Sequence, residues 1–264
     1  MRKIFEPRYA FINAKINIGL QIVRKREDGY HDLQTVFYPT GFYHDVMSLT
    51  PCSSEFEFEL ESEEDLGPSE NNLCVKAFRM LQQDYGIEGV HLSLDKGIPT
   101  GAGLGGGSAD AAFTLSLLVN AFQLPVTEEQ MLHYALQLGS DVPFFLYNKP
   151  MYATGRGEIM TPIDLDLSSY QLKIVKPDIH VSTKEAYAGI TPKETDVFLP
   201  TVLQQDVRTW DGLVVNDFEE SVFENHPELR EIKESFYRDG ALYAAMSGSG
   251  SAIFGLFPHD SASL

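Results

Sequence analysis

Cysteine is scarce in this sequence, and the side chains that usually bind metals are not grouped. The 264 residues include two cysteines, Cys52 and Cys74, whose separation matches no metal-binding or redox motif. The seven histidines are scattered, and no pair of them has the spacing of metal ligands. Because disulfide frameworks belong mainly to secreted proteins, this composition predicts a cytoplasmic protein with reduced thiols.

Positive charge and long apolar runs are lacking too. Twenty Lys and Arg residues stand against 38 Asp and Glu residues, which gives a formal net charge of −18. A charge of this sign argues against binding to duplex nucleic acid or to an anionic membrane surface. No run of 18 apolar residues could span a bilayer, and residues 1–8 lack the apolar core of a signal peptide. We therefore expect no nucleic-acid partner and no membrane association.

Length and composition allow one large domain or two small ones. A chain of 264 residues with 43% hydrophobic content can bury a sizeable core. The character of the sequence changes near residues 149–160, and we place a domain boundary there. Before it, Asn72 is typical of a helix cap and Gly86 of a helix stop, which predicts a helix over 73–85. Alternation of apolar and acidic residues over 55–60 predicts a strand with one wet face.

The remaining strands are predicted from shorter patterns. Residues 9–24 are interpreted as two strands, and the segments 33–37 and 46–49 as separate strands. A further strand over 151–158 is interrupted by Gly155-Arg156-Gly157. Thr127 and Ser182 each open a sequence typical of a capping box, which predicts a helix after each of them.

The most informative stretch runs from Ile98 to Ala112 and holds five of the chain's 21 glycines. A predicted strand over 90–94 precedes it, and an apolar run over 111–122 with helix length follows it. Glycines let backbone N–H groups turn toward a bound anion, and the helix adds unpaired N–H groups and a partial positive charge. The simplest ligand is a di- or triphosphate. A turn that only packs a helix closely on a sheet is the structural alternative.

Two common glycine motifs fit this stretch poorly. Gly101, Gly103 and Gly106 match the dinucleotide pattern G-x-G-x-x-G, but the first glycine lies too far from the strand for the tight Rossmann turn. Gly101 and Gly106 also have P-loop spacing, but Gly107 stands where that motif requires lysine. Neither motif explains the loop.

Phosphoryl transfer requires a carboxylate to orient or deprotonate an acceptor hydroxyl, and positive groups around the transferred phosphoryl. Asp141, in a glycine turn followed by apolar residues, is the best candidate carboxylate. Its alternative role is to cap a short helix. Lys15, on an alternating strand with Asn17 on the same face, is the best candidate cation. Its alternative is a strand lysine that faces water.

The pattern P-x-x-x-G-L-G-G-G-S-A-D-A-A, from Pro99 to Ala112, resembles the second motif of the GHMP kinases (galactokinase, homoserine kinase, mevalonate kinase and phosphomevalonate kinase). Residues 14–17, 139–145 and 246–250 are similar to other conserved motifs of that family. The string Asp28-Gly29-Tyr30-His31-Asp32-Leu33-Gln34-Thr35 is similar to the subgroup whose acceptor alcohol carries cytidine diphosphate.

The resemblance implies an α+β fold of two domains. The expected N-terminal domain, residues 1–150, is ribosomal S5 domain 2-like and holds ATP and the catalytic groups. The expected C-terminal domain, residues 151–264, is ferredoxin-like. The implied cofactors are ATP and Mg²⁺, and the implied partner is a small-molecule acceptor. We expect a monomer or a weak homodimer.

The resemblance also implies residue roles. Lys15 and Asp141 would be the catalytic pair, with Lys15 holding Asp141 ionised. Asn17, Tyr30, His31 and Tyr187 would bind the acceptor, with the tyrosines as aromatic walls for the cytosine. ATP would bind along the loop, and Ser108 would also contact Mg²⁺. The residues of that ATP loop are Pro99, Thr100, Gly101, Ala102, Gly103, Leu104, Gly105, Gly106, Gly107, Ser108 and Ala109.

Two other functions remain open at this point. One is a different small-molecule kinase of the family, of the homoserine or mevalonate type. The other is a non-catalytic protein that binds nucleotide and has lost the transfer step. The presence of both Lys15 and Asp141 argues against the second.

Overall fold

The structure is a computed structural model that describes residues 5–63 and 66–259. The chain divides into two compact units. The first contains the chain up to Ala14, Tyr43–Thr100 and Gly105–Asn148, and the second contains Lys15–Phe42, Gly101–Leu104 and the chain from Lys149 onward. The predicted boundary near residue 150 coincides with one of these divisions; as a domain boundary it stays a prediction.

Two long strands contribute residues to both units, β1 (Arg8–Lys25) and β2 (His31–Pro51), which pair with each other. The other elements of the first unit are β3 (Phe56–Glu61), α1 (Leu73–Tyr85), β4 (Val90–Asp95), α2 (Gly106–Phe122), α3 (Glu128–Leu138) and α4 (Val142–Tyr147). Those of the second unit are β5 (Met151–Thr154), β6 (Ile159–Pro162), β7 (Tyr170–Val175), α5 (Thr183–Ala188), α6 (Leu199–Val202), α7 (Phe218–Asn225), α8 (Pro227–Arg238), β8 (Tyr243–Met246) and β9 (Ile253–Pro258).

In the first unit, helices pack together beside a short ladder of strands. Strand β3 runs parallel to β4, and β4 is antiparallel to the second half of β2. Helix α2 contacts α1, α3 and α4, so it lies at the centre of the helical layer. The core is apolar and includes Phe78, Leu92, Leu115 and Phe144, each fully buried. This packing holds the first turn of α2 in a defined place.

In the second unit, the first half of β2 pairs antiparallel with β5, which forms a hairpin with β6. A separate antiparallel sheet has the order β7-β9-β8. Its core joins Leu20 and Ile22 of β1 to Phe218 of α7, Phe236 of α8 and Ile253 of β9. The burial of these side chains fixes the strands that carry the candidate site.

Several predicted elements are confirmed with their caps. Helix α1 has the predicted bounds, the Asn72 side chain accepts a hydrogen bond from Cys74 N, and Gly86 ends the helix in the left-handed region. Helix α3 begins with the predicted capping box at Thr127. Strand β3 alternates half-buried and exposed residues, as the wet-faced strand prediction requires.

Three strand predictions were wrong in their bounds. Residues 9–24 form one strand and not two, and Gly19, at φ +68°, lets it bend without ending. The segments 33–37 and 46–49 belong to one strand, because the aromatic and β-branched residues between them continue the ladder. The predicted interruption at Gly155-Arg156-Gly157 is the turn of the β5–β6 hairpin.

Within residues 5–63 and 66–259, the apolar helices are all too short to cross a bilayer.

Candidate active site

The glycine loop begins where β4 ends, and a buried carboxylate shapes this exit. Asp45 on β2 is fully buried, and its Oδ1 accepts hydrogen bonds from Gly97 N and Ile98 N, each at 2.7 Å. Two consecutive N–H groups are thereby satisfied at the point where the ladder stops. The chain leaves the sheet in one fixed direction, toward Pro99.

Helix α2 begins inside the glycine run, five residues before the predicted apolar helix. Gly105 is its N-cap, at φ +77°, and this residue has no side chain that could cap the helix. The first turn holds Gly106, Gly107 and Ser108 and no acidic residue, and Ser108 is half-buried. The first N–H groups of an uncapped helix are available to an anion, and the helix dipole favours negative charge there.

A buried ion cluster lies directly beneath this first turn. Lys96 Nζ is 2.5 Å from Asp45 Oδ2 and 2.6 Å from Asp110 Oδ2, and all three side chains are less than 8% exposed. A Cβ built on Gly106 would lie 3.3 Å from the same Nζ, which places the ammonium at the helix start. The cluster therefore joins β2, the end of β4 and α2 around one cation.

Two carboxylates share that single lysine, and the pKa values of Asp110 and Lys96 are shifted. Burial raises the pKa of Asp110, Lys96 opposes the shift and Asp45 adds to it, and together these effects place the pKa at about 8. Although burial lowers the pKa of Lys96, the two carboxylates raise it above its ordinary value. Among the described residues, Asp110 Oδ1 is buried without a hydrogen-bond partner. A proton shared between the carboxylates would relieve their repulsion.

Sequence reasoning missed this cluster. Its available signal was Asp110, a charged residue inside an apolar helix, which is rare unless the charge is paired. Asp45 lies within β2 and Lys96 directly follows β4, and neither has a distinctive spacing from Asp110, so only the fold identifies them as partners.

Lys15 is buried, with 3% of its surface exposed, so the alternative of a lysine facing water is wrong. Its Nζ donates to Asn17 Oδ1 at 2.5 Å and to Gly103 O at 3.0 Å. The ammonium also lies 5.2 Å from the centre of the Phe37 ring. Its backbone N donates to Leu104 O at 2.9 Å, so both its main chain and its side chain are tied to the glycine loop.

Asn17 and Ser247 complete a buried network around this lysine. Asn17 Nδ2 donates to Thr35 Oγ1 at 3.0 Å, and Asn17 N donates to Ser247 Oγ at 3.1 Å. Ser247 Oγ in turn donates to Gly103 O at 2.9 Å. Three segments that are far apart in sequence, at residues 15–17, 101–104 and 246–250, therefore meet in the second unit.

Asp141 belongs to the first unit and occupies the N-cap position of α4, but its side chain makes no capping hydrogen bond. It is half-buried, and Pro143 helps to begin the short helix behind it. Helix capping therefore does not account for this carboxylate. Its pairing with Lys15, which lies in the second unit, stays a prediction.

The structure groups two of the three predicted acceptor-binding aromatic residues. The rings of His31 and Tyr187 stack with centres 5.0 Å apart and planes 24° apart. Tyr187 also packs edge-on against Phe218, which holds it in place. Burial lowers the pKa of His31 and nearby Lys25 lowers it further, so this ring is neutral at physiological pH.

Tyr30 is 56% exposed and has a different neighbour. The Arg156 guanidinium lies 4.8 Å from the centre of its ring, so one face of Tyr30 is covered by a cation. Arg26 bridges Asp28 and Asp32 and closes the turn before Tyr30. Tyr30 is therefore an exposed ring with a guanidinium on one face.

Two family models match the chain. One, described as the GHMP kinases N terminal domain, matches residues 72–149, and the other, described as GHMP kinases C terminal, matches residues 198–264. The chain belongs to the GHMP kinases, and it is a small-molecule phosphotransferase with the α+β two-domain fold that the sequence predicted.

Individual proteins and solved structures of this family are also similar to the chain. A protein of Bacteroides fragilis named 4-diphosphocytidyl-2-C-methyl-D-erythritol kinase is 48% identical over 249 residues, which is 94% of this chain and 91% of that protein. A crystal structure of 4-(cytidine 5'-diphospho)-2C-methyl-D-erythritol kinase has a TM-score of 0.80 at 34% identity and covers 94% of this chain and 90% of the other. A homoserine kinase from Cytophaga hutchinsonii has a TM-score of 0.66 at 17% identity, with 94% and 85% covered, and shares the fold alone.

Proposed function

We propose that this protein transfers the γ-phosphoryl group of ATP to the 2-hydroxyl of 4-diphosphocytidyl-2-C-methyl-D-erythritol. This reaction belongs to the non-mevalonate (methylerythritol phosphate) route to isoprenoid precursors. The observation that carries the proposal is the buried network of Lys15, Asn17, Gly103 and Ser247. Relatives with nearly half of their residues identical are named for this substrate, which supports the same assignment here.

The ATP phosphates are assigned to the glycine loop from Pro99 to Ala109. The open first turn of α2 and the left-handed backbone at Gly101, Gly103 and Gly105 support this role, since N–H groups there can face an anion. Backbone donors also explain how a protein with a net charge of −18 could bind a polyphosphate. Ser108 is the residue of this loop that would contact Mg²⁺, which supplies charge neutralisation during the transfer.

In the chemical step, the acceptor oxygen attacks the γ-phosphorus while the bond from that phosphorus to the oxygen bridging the β-phosphate breaks. ADP leaves, and Asp141 accepts or orients the proton of the acceptor hydroxyl. Lys15 keeps the Asp141 carboxylate ionised and oriented. The burial of Lys15 supports this role, because a buried ammonium stabilises a nearby negative charge more than an exposed one does.

The acceptor's cytosine is assigned to Tyr30, His31 and Tyr187, and its methylerythritol end to Asn17. A neutral imidazole has one donor and one acceptor nitrogen, which suits the edge of a nucleobase. Flat aromatic rings suit the base's faces. The buried position of Asn17 beside Lys15 supports a contact near the reacting hydroxyl.

The proposal extends to the setting of the enzyme. Both cysteines are free thiols, which suits the cytoplasm. A monomer or weak homodimer that acts on a small molecule, without nucleic acid or membrane, suits the strongly acidic composition. The same proposal includes an N-terminal domain of residues 1–150, which binds ATP and holds the catalytic groups, and a C-terminal domain of residues 151–264.

Substrate trials test the proposal against its alternatives. With ATP and Mg²⁺, the purified protein should release ADP in the presence of 4-diphosphocytidyl-2-C-methyl-D-erythritol and not with homoserine or mevalonate. Phosphorus NMR should then show a new phosphomonoester on the acceptor. ADP release with homoserine or mevalonate instead would assign the protein to another acceptor. Calorimetric binding of ATP with no ADP release from any acceptor would favour a non-catalytic nucleotide-binding protein.

A further inference from the structure

The segment Asn216-Asp217-Phe218-Glu219 belongs to none of the motifs that carry the family resemblance, yet its polar side chains support the strands and the loop of the candidate site. Asn216 is 4% exposed and precedes α7. Its Nδ2 donates to Met246 O at 2.7 Å and to Gly248 O at 2.8 Å, and its Oδ1 accepts from Phe218 N at 3.0 Å. The amide therefore uses both of its donor hydrogens on one loop.

The neighbouring acids support adjacent backbone. Asp217 Oδ2 accepts from Ile22 N at 2.7 Å, and Glu219 Oε1 accepts from Met246 N at 2.7 Å. The main chain contributes as well, since Leu20 N donates to Val215 O and Asp217 N donates to Leu20 O, each at 2.8 Å. One short segment thus anchors both β1, which carries Lys15, and the end of β8.

The loop that Asn216 holds, residues 246–248, contacts the candidate site directly. Ser247 lies between the two carbonyls bound by Asn216, and its Oγ joins Asn17 N to Gly103 O. Gly103 O also accepts from Lys15 Nζ. The hydrogen bonds of Asn216, the backbone of residues 246–248 and the hydrogen bonds of Ser247 and Gly103 therefore connect Asn216 to the lysine.

We infer that Asn216 is a positioning residue for phosphoryl transfer, which acts through Ser247 on Asn17, Gly103 and Lys15. The inference rests on the proposed function. Asn216 is buried and uses both of its donor hydrogens on the loop, so we assign it no substrate contact and infer that it positions the groups that bind substrate. Small displacements of reacting groups cost large factors in rate, so loss of this support should lower kcat.

The variant Asn216→Asp tests the inference, because it keeps the shape and the acceptor oxygen but replaces two donor hydrogens with an acceptor facing two carbonyls. Tyr243→Phe is the matched control. Tyr243 is also buried, and its hydroxyl donates its one hydrogen to Val214 O at 2.8 Å, two residues from Asn216 and outside the loop. Both variants lose buried hydrogen bonds in the same region of the second unit. Only Asn216→Asp removes the hydrogen bonds that hold the backbone on either side of Ser247.

We expect Asn216→Asp to lower kcat at least about tenfold while the KM for the cytidine-carrying acceptor stays within about threefold. Tyr243→Phe should keep kcat within about threefold of wild type, even if its melting temperature falls by as much as that of Asn216→Asp. Equal kcat losses in the two variants at equal melting temperature would overturn the inference, as would a nearly normal kcat in Asn216→Asp. Absence of turnover in wild type and Tyr243→Phe alike would instead overturn the proposed function.

A double-mutant cycle tests the route. Ser247→Ala removes the next link, so its kcat loss should overlap with that of Asn216→Asp, and the double variant should lose little more than the larger single loss. Fully multiplicative losses would contradict action through Ser247. If Asn216→Asp fails to fold, Asn216→Ser, which keeps one donor, replaces it in the cycle, with an intermediate kcat expected and a wild-type kcat contradicting the inference.

Discussion

Gly103 lies against Ser247 so closely that a Cβ at Gly103 would be 1.9 Å from the Ser247 carbonyl oxygen. Gly103 also has φ +75°, a conformation that side chains disfavour. The contact joins the glycine loop to the segment of residues 246–250. It explains in physical terms why a glycine is needed in the middle of the loop.

The variant Gly103→Ala should therefore damage the site far beyond its cost in backbone strain. We expect at least a hundredfold loss in kcat/KM for ATP, because the loop must move away from Ser247 and from Lys15, a displacement of the size that costs about that factor. Gly212→Ala is the matched control, since Gly212 has φ +74° and open space around its Cα. Similar kinetics in the two variants would show that strain alone is responsible.

Asp141→Asn should abolish turnover while ATP binding is largely retained, because the amide cannot accept the acceptor's proton. Steady-state kinetics and calorimetry with a non-hydrolysable ATP analogue measure the two effects separately. Lys15→Met should also reduce kcat strongly, and the double variant should be no slower than Asp141→Asn alone, since groups that act as a unit are not additive. Near-normal turnover in Asp141→Asn would refute its catalytic role.

The buried cluster of Asp45, Lys96 and Asp110 predicts a pH dependence of stability. The pKa of Asp110 is about 8 in the folded protein, well above its ordinary value, so the folded state binds a proton that the unfolded state has released. The free energy of unfolding should then fall as pH rises from about 4 to about 8, by at most about 1.4 kcal/mol per pH unit for one proton. Asp110→Asn should flatten this slope.

Denaturant unfolding at pH 5, 6.5 and 8 measures that slope. Asp206→Asn is the control, because Arg208 holds the pKa of Asp206 at about 2, and its charge is constant over this range. Parallel curves for wild type and Asp110→Asn would contradict the protonated cluster. Titration of Lys96 would not mask the result, because its raised pKa keeps the ammonium charged from pH 5 to pH 8.

Tyr187→Ala should raise the KM for the acceptor and leave the KM for ATP unchanged. Removing an aromatic wall costs about 1–3 kcal/mol per stacked base, which corresponds to a factor of roughly 5 to 150. Tyr187→Phe keeps the ring that stacks on His31 and should behave like wild type. An equal effect of both variants would assign the role to the hydroxyl, and no effect of either would remove Tyr187 from the acceptor site.

Local patterns predicted much of this fold because local physics forms it. Asn72 and Gly86 bound α1 by satisfying the end groups of that helix, and Thr127 opens α3 by the same rule. The start of α2 was less predictable, because glycines are poor helix formers and here begin a helix that tertiary packing supports. Strands β1 and β2 are each continuous where the sequence predicted two shorter strands, because tertiary packing also carries them past their polar residues.

Amino-acid order alone determined the family, the glycine loop and the candidate residues Lys15 and Asp141, because these depend on residue types at short spacing. Only the tertiary structure decided which distant groups support them. It buried Lys15 beside Asn17 and Gly103, shared Lys96 between Asp45 and Asp110, and placed Asn216 under Ser247. Such partners carry no common spacing, since hydrogen bonds across a core depend on where strands and helices pack and not on their separation in the chain.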